Sequence, residues 1–132
     1  MNIFTGLIGG KKKDIQALVQ GKTIVAARSS LNCFVLEFSD GNGIAISVTT
    51  GTSEPQAQAK IQIEHKPIEE LPQISEAVCK VDWQWIYNST IKSIKPASTG
   101  INFELNPAGP LMVATGLWQD SPYIYFQPYK PR

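Results

Sequence analysis

The sequence predicts an α+β fold, mainly antiparallel β-sheet with two short helices, built as an internal pseudo-two-fold repeat of α-β-β-β-β units. Three observations carry this. The first is self-similarity: Asp14–Gln20 (DIQALVQ) is echoed by Asp82–Asn88 (DWQWIYN). After a one-residue gap at Gly21, Thr23-Ile24 aligns with Thr90-Ile91, and the same offset of 67 residues holds through Glu37 and Glu104. A fixed internal offset signals a fold assembled from like units. The second is alternation. Phe34, Leu36 and Phe38 match Ile101, Phe103 and Leu105, while Ile44 and Ile46 match Leu111 and Val113. Period-two spacing buries one face of a strand. The third is the breaker cluster between those strands, Asp40-Gly41-Asn42-Gly43 in one unit and Asn106-Pro107-Ala108-Gly109-Pro110 in the other. Gly and Asn accept the positive φ of tight hairpins.

Along the chain, Phe4, Leu7, Ile8, Ile15, Leu18 and Val19 keep roughly helical spacing, interrupted at Gly9-Gly10. This predicts a short frayed piece and then a helix from about Lys12 or Asp14 to Gln20. Asp14 suits the positive end of the helix dipole, and Gly21 suits the stop. Strands are expected at about 22–29, 33–39, 43–50 and 58–66, with the loop Thr50–Pro55 before the last. Pro67 to Pro72 reads as an acidic, proline-containing linker. In the second unit Asp82 is a candidate N-cap for a helix over Trp83–Asn88. Strands then follow at about 90–97, 100–105, 111–116 and 122–128. Ile24 and Ala27, like Ile91 and Ile94, are three apart within a strand, which predicts a bulge in each unit. Pro55 and Pro122 also lie 67 apart, and the units close at Lys66-Pro67 and Lys130-Pro131, 64 apart, so a short deletion is required.

Each unit, about 14–67 and 82–131, is too small to bury a sufficient core alone. One domain over residues 1–132, with the units sharing a core, is therefore expected. Whether the strands curl into a barrel or stack as a sandwich stays open.

Composition narrows function by exclusion. No apolar run reaches the length of a membrane-spanning helix, and Met1–Ile8 is too short for a secretion signal. A cytoplasmic protein is expected, with Cys33 and Cys79 as reduced, inert thiols. The net charge of +1 argues against an affinity built on neutralising many phosphates. Charge is uneven, with five bases and one acid in residues 1–30, but six acids and three bases in residues 53–82. That asymmetry suits solvated faces or a complementary partner. Gly6–Lys12 lacks the first glycine and the magnesium-binding hydroxyl of a phosphate loop. His65 is the only histidine, so no multi-histidine metal site can form, and with no cysteine or serine motif near it the residue gives little sign of catalysis. Lys92, Lys95, Lys130 and Arg132 accompany aromatic residues, yet their spacing fits no nucleic-acid signature. No cofactor and no metal is expected.

What remains is an aromatic bias. Trp83, Trp85, Tyr87, Phe103, Trp118, Tyr123, Tyr125, Phe126 and Tyr129 all belong to the second unit or its hairpins. Tyr123 and Tyr125 share one strand face, opposite Ile124 and Phe126. With Trp118 they form a candidate contact surface, since Tyr and Trp favour interfaces. Glu37 and Glu104 occupy matching outward positions. A symmetric close pair would split their pKa values, whereas a solvated or salt-bridged strand face is the simpler expectation. The leading reading is a non-enzymatic interaction protein with a protein partner, or one that self-associates. The alternative is a small-ligand binder or minor enzyme with a pocket between the units, lined by Trp83, Trp85 or Trp118.

Overall fold

Ile15 and Val19, one helical turn apart, are both fully buried, and that shared contact makes a helix of a segment too short to be stable alone. The computed structural model describes residues 13–51, 58–74, 81–97, 100–119, 121–128 and 130. The expectations placed on the Phe4–Gly10 piece, the Gly6–Lys12 loop, Pro55, Cys79, Tyr129 and Arg132 lie outside them. Helix α1 spans Lys13–Val19. Leu18, counted by its spacing with the buried stripe, is instead 40% exposed. The chain turns at Gly21, whose φ is +81°.

Eight strands follow: β1 (Ile24–Ser29), β2 (Cys33–Phe38), β3 (Asn42–Gly51), β4 (Gln58–Pro67), β5 (Thr90–Ala97), β6 (Gly100–Asn106), β7 (Gly109–Trp118) and β8 (Ser121–Gln127). They form two four-stranded antiparallel sheets, β1-β2-β3-β4 and β5-β6-β7-β8. All eight expected strands are present, with ends moved by a few residues. The helix expected over Trp83–Asn88 is a correction. Only a 3₁₀ turn forms, at Gln84–Ile86. Its N-cap is Trp83 rather than Asp82 and carries no side-chain cap; Asp82, one residue earlier, accepts the Gln84 N–H at 3.0 Å through its carboxylate, as in an Asx turn. The turn goes no further because Tyr87 is extended and Asn88 takes φ 69°, turning the chain into β5. A second 3₁₀ turn, Ile68–Glu70, lies in the stretch read as a linker.

Register runs in parallel in the two sheets. Ala26 pairs with Glu37 and Ser93 with Glu104; Ala45 pairs with Val35 and Met112 with Asn102. The ladder shifts between Ile24 and Ala26, and again between Ile91 and Ser93. These irregularities account for the three-residue apolar spacing noted at both places. In the last strands the spacing falls to 63 residues: Ile46 pairs with Ile63, and Val113 with Phe126. The β7–β8 hairpin is thus the shorter one, and Pro122 stands level with Ala59 rather than Pro55.

The sheets meet edge to edge where β1 and β5 begin. Thr23 and Thr90 form an isolated antiparallel bridge. Around it Ile24 N–H donates to the Ser89 carbonyl (2.8 Å) and Ile91 N–H to the Lys22 carbonyl (3.0 Å). Gly21 N–H donates to the Ile91 carbonyl and Asn88 N–H to the Ile24 carbonyl, both at 2.7 Å. Shifting every number by 67 converts each bond of a pair into the other. Gly21 and Asn88 are matched positions under that shift, and both have positive φ. Gly21→Ala is therefore expected to cost about 1–2 kcal/mol. Asn88→Gly should be nearly neutral, since Asn already tolerates this conformation. Urea denaturation of the two variants checks the pair.

Side chains protect the free edges of β1 and β5 near this seam. Gln16 Oε1 accepts the Ile94 N–H at 3.0 Å, and the Gln20 amide donates to the Lys92 carbonyl at 3.2 Å. The Tyr87 hydroxyl accepts the Ala27 N–H at 3.4 Å. Exposed edge groups would otherwise template pairing with another chain. At the other end of the sheets Ile124 N–H donates to the Leu31 carbonyl at 2.7 Å. One buried cluster joins both inner faces, including Phe34, Leu36, Ile44 and Ile63 from the first sheet and Ile91, Phe103, Val113 and Phe126 from the second.

Candidate functional site

Burying one strand face says nothing about what the opposite face meets, and here the two sheets differ. On the first sheet the outward positions include Arg28, Val35, Glu37, Gly43 and Ala45. Residues 68–74 lie across them. Leu71 is buried between Val35 and Ala45, flanked by Cys33, Ile68 and Ile74. Gly43 makes room, because a Cβ there would stand 2.6 Å from Leu71 Cδ1. Arg28 ties the segment down: its Nε and Nη2 donate to the Pro72 carbonyl at 3.1 and 2.8 Å, while Nη1 pairs with the Glu37 carboxylate. Such a fork holds two acceptors in fixed geometry. Burial under this cover pushes the Cys33 thiol pKa up, with Arg28 partly offsetting the effect.

On the second sheet the matching positions carry Lys95, Asn102, Glu104, Pro110 and Met112. Among the described residues no segment lies over them. A groove of about 530 Å³ crosses the sheet there, lined by Ser93, Lys95, Asn102, Glu104, Met112 and Gln127, among others. Lys95, Asn102, Glu104 and Gln127 are exposed and Met112 is half-buried. Neither Lys95 nor Glu104 forms an ion pair among the described residues.

The same face continues along β7 and β8 into aromatic residues. Tyr123 and Tyr125 stand side by side, ring centroids 5.9 Å apart. Gly116 pairs with Tyr123, whose ring lies so close above it that any Cβ would collide. Tyr125 is 40% exposed and Trp118, at the hairpin end, 71%. Trp118, Tyr123 and Tyr125, grouped from sequence, thus do lie on one face of one hairpin.

The remaining candidates separate. Trp83 is 4% exposed and packs against Phe34, tilted at 36°, and Phe126, edge to face at 87°, each 4.7 Å away between centroids. Its N–H donates to the buried Ser29 hydroxyl at 2.9 Å. Trp85 is half-buried, with the Lys130 ammonium 5.0 Å from its ring, within cation–π range. Its indole N–H is buried without an acceptor among the described residues. Glu37 is salt-bridged beneath the covering segment, whereas Glu104 is exposed in the groove. They point away from a shared core on different sheets, so no carboxylate pair forms. His65 is half-buried on β4, opposite Ile44. No group of three metal-ligating side chains occurs among the described residues. No described helix is long and apolar enough to cross a membrane.

Asn102, Met112 and Gln127 escaped the sequence reading. A usable signal existed: aligning outward positions of the two units sets Asn102 against Val35 and Met112 against Ala45, a change of face character. Compared with known proteins, the chain matches no family model, no curated protein and no solved structure.

Proposed function

We propose that this chain is a non-enzymatic interaction protein whose working surface is the outer face of its second sheet, engaging a protein partner or a second copy of the chain. One observation carries the reading. The outer face of the first sheet is closed by Leu71 and its neighbours, while the matching face of the second is open among the described residues and runs into Trp118 and Tyr125. Exposed Trp and Tyr clustered on one face are the residues that supply most binding energy at interfaces. The scaffold fits the role: we infer a sandwich of two like α-β-β-β-β units in one domain, related by a pseudo-two-fold axis passing between Thr23 and Thr90. The reciprocal hydrogen bonds at that bridge support a tandem duplication. A reducing compartment such as the cytoplasm suits the free thiol of Cys33.

Light scattering after size exclusion, together with crosslinking, tests this. Wild type should show concentration-dependent association or a crosslinked partner, and Trp118→Ser/Tyr125→Ser should lose it while keeping its unfolding midpoint. A strict monomer whose partners are unchanged in the double variant would overturn the reading. A small-ligand role has one feature in its favour, a groove volume within the range of about 300–1,000 Å³ typical of ligand sites. That groove lies on the outer face rather than between the units, and Trp83, proposed to line a pocket there, is packed by Phe34 and Phe126.

A further inference from the structure

The covered face of the first sheet is a template for what the open face of the second can hold. Matched by register, Lys95 stands for Arg28, Asn102 for Val35, Glu104 for Glu37 and Met112 for Ala45. The groove occupies the place where Leu71 sits on the first sheet. There the occupant runs from the 3₁₀ turn Ile68–Glu70 into extended chain at Leu71, whose side chain is pressed against the sheet with Ile68 and Ile74 packed beside it, and its Pro72 carbonyl is gripped by a cation from the first strand. The second sheet keeps the cation, the carboxylate and an apolar floor in Met112, and lacks the occupant among the described residues.

We propose that this groove docks an extended peptide segment of a partner protein, a reading that rests on the outer-face function above and names the partner's form. An aliphatic side chain lies on Met112, and the ammonium of Lys95 takes a backbone carbonyl or an acidic side chain. Charge complementarity sets the rest. Glu104, freed of the ion pair that ties Glu37, accepts a peptide N–H or a basic side chain. The amides of Asn102 and Gln127 offer both donors and acceptors to peptide backbone. A Met floor adapts to more than one aliphatic shape. Dimensions agree as well. The lining runs from Ser93 and Lys95 on β5 to Gln127 on β8. Three inter-strand spacings make about 14 Å, the length of about four extended residues. A compact small molecule uses only part of such a trough, whereas residues 68–74 show a peptide crossing its counterpart.

The test uses the full ¹⁵N-labelled chain and a pool of capped heptapeptides with Leu fixed at the fourth position and Pro at the fifth, the others varied. Saturable shifts are expected at Ser93, Lys95, Asn102, Glu104, Met112 and Gln127. Replacing the fixed Leu by Ala should weaken binding about tenfold, as removing a partly buried aliphatic group does. Met112→Asp, an outward substitution whose folding the same spectra verify, should abolish it. Groove shifts that ignore the Leu-to-Ala change, or no groove shifts at all, overturn the proposal. If shifts or self-association then map to Trp118, Tyr123 and Tyr125, the peptide groove falls while the outer-face reading stands. If neither region responds and the chain is a strict monomer, both fall.

Discussion

Trp83→Ala should lower the stability of the chain by about 3–5 kcal/mol, the usual cost of deleting a buried aromatic side chain. Trp83 belongs to a three-ring cluster with Phe34 and Phe126, tilted against the first and edge to face with the second, so it links β2 of the first sheet to β8 of the second. Removing it leaves a cavity that neither sheet can close without shifting the other. It also strands the buried Ser29 hydroxyl, which accepts the indole N–H. Trp83→Phe separates the two contributions: it keeps much of the ring packing and loses the hydrogen bond, which costs about 1–3 kcal/mol for an unsatisfied buried group. Urea denaturation reads both, and the Ala variant should move the midpoint by more than about 1 M for a domain of this size. A loss below about 1 kcal/mol would mean that the indole lines a site rather than filling the core.

Leu71→Ala should cost about 2 kcal/mol or more and open the outer face of the first sheet. Leu71 is the centre of a small cluster with Val35 and Ala45, and without it the segment is held chiefly by the two hydrogen bonds from Arg28 to the Pro72 carbonyl. Cys33 reports the release. In a Cys79→Ser background, the wild-type thiol should react slowly with iodoacetamide, because burial raises its pKa and so lowers its thiolate fraction. In Leu71→Ala the reaction should quicken severalfold as water reaches the sulfur. The sign for stability follows from the same shift. A thiol that holds its proton more tightly when folded destabilises the native state as pH climbs through the alkaline range, and has no effect well below the unfolded pKa. The variant should lose less stability over that range than wild type. Unchanged labelling would show that Leu71 is not what shields Cys33.

Much of this architecture is local and therefore readable. Phe34-x-Leu36-x-Phe38 and Ile101-x-Phe103-x-Leu105 can bury a single face only as strands, and Asp40-Gly41-Asn42-Gly43 can turn between two of them without strain. The bulges were legible for the same reason, since Ile24/Ala27 and Ile91/Ile94 break a period that a regular strand must keep. The echo of Asp14–Gln20 in Asp82–Asn88 does not carry helical structure with it. Ile15 and Val19 supply a buried helical stripe, whereas Gln84–Ile86 needs only to lower Ile86 into the core before Asn88 turns. The offset of 67 lapses after β7 because the β7–β8 hairpin is the shorter one, so Pro122 stands level with Ala59.

The chain's residues alone were enough to specify eight strands, their hairpins and their inward faces, because each depends on neighbours a few positions away. Alternation puts Val35, Ala45, Asn102 and Met112 alike on faces turned from the core, with nothing to tell them apart. What lies beyond that face depends on where the chain travels after leaving its last strand. Residues 68–74 return over β2 and β3, more than thirty positions earlier in the chain than Leu71 for Val35, and close one face; no described residue covers the matching groove on β5–β8. Packing between distant segments distinguishes the two, and alternation along a strand carries no record of it.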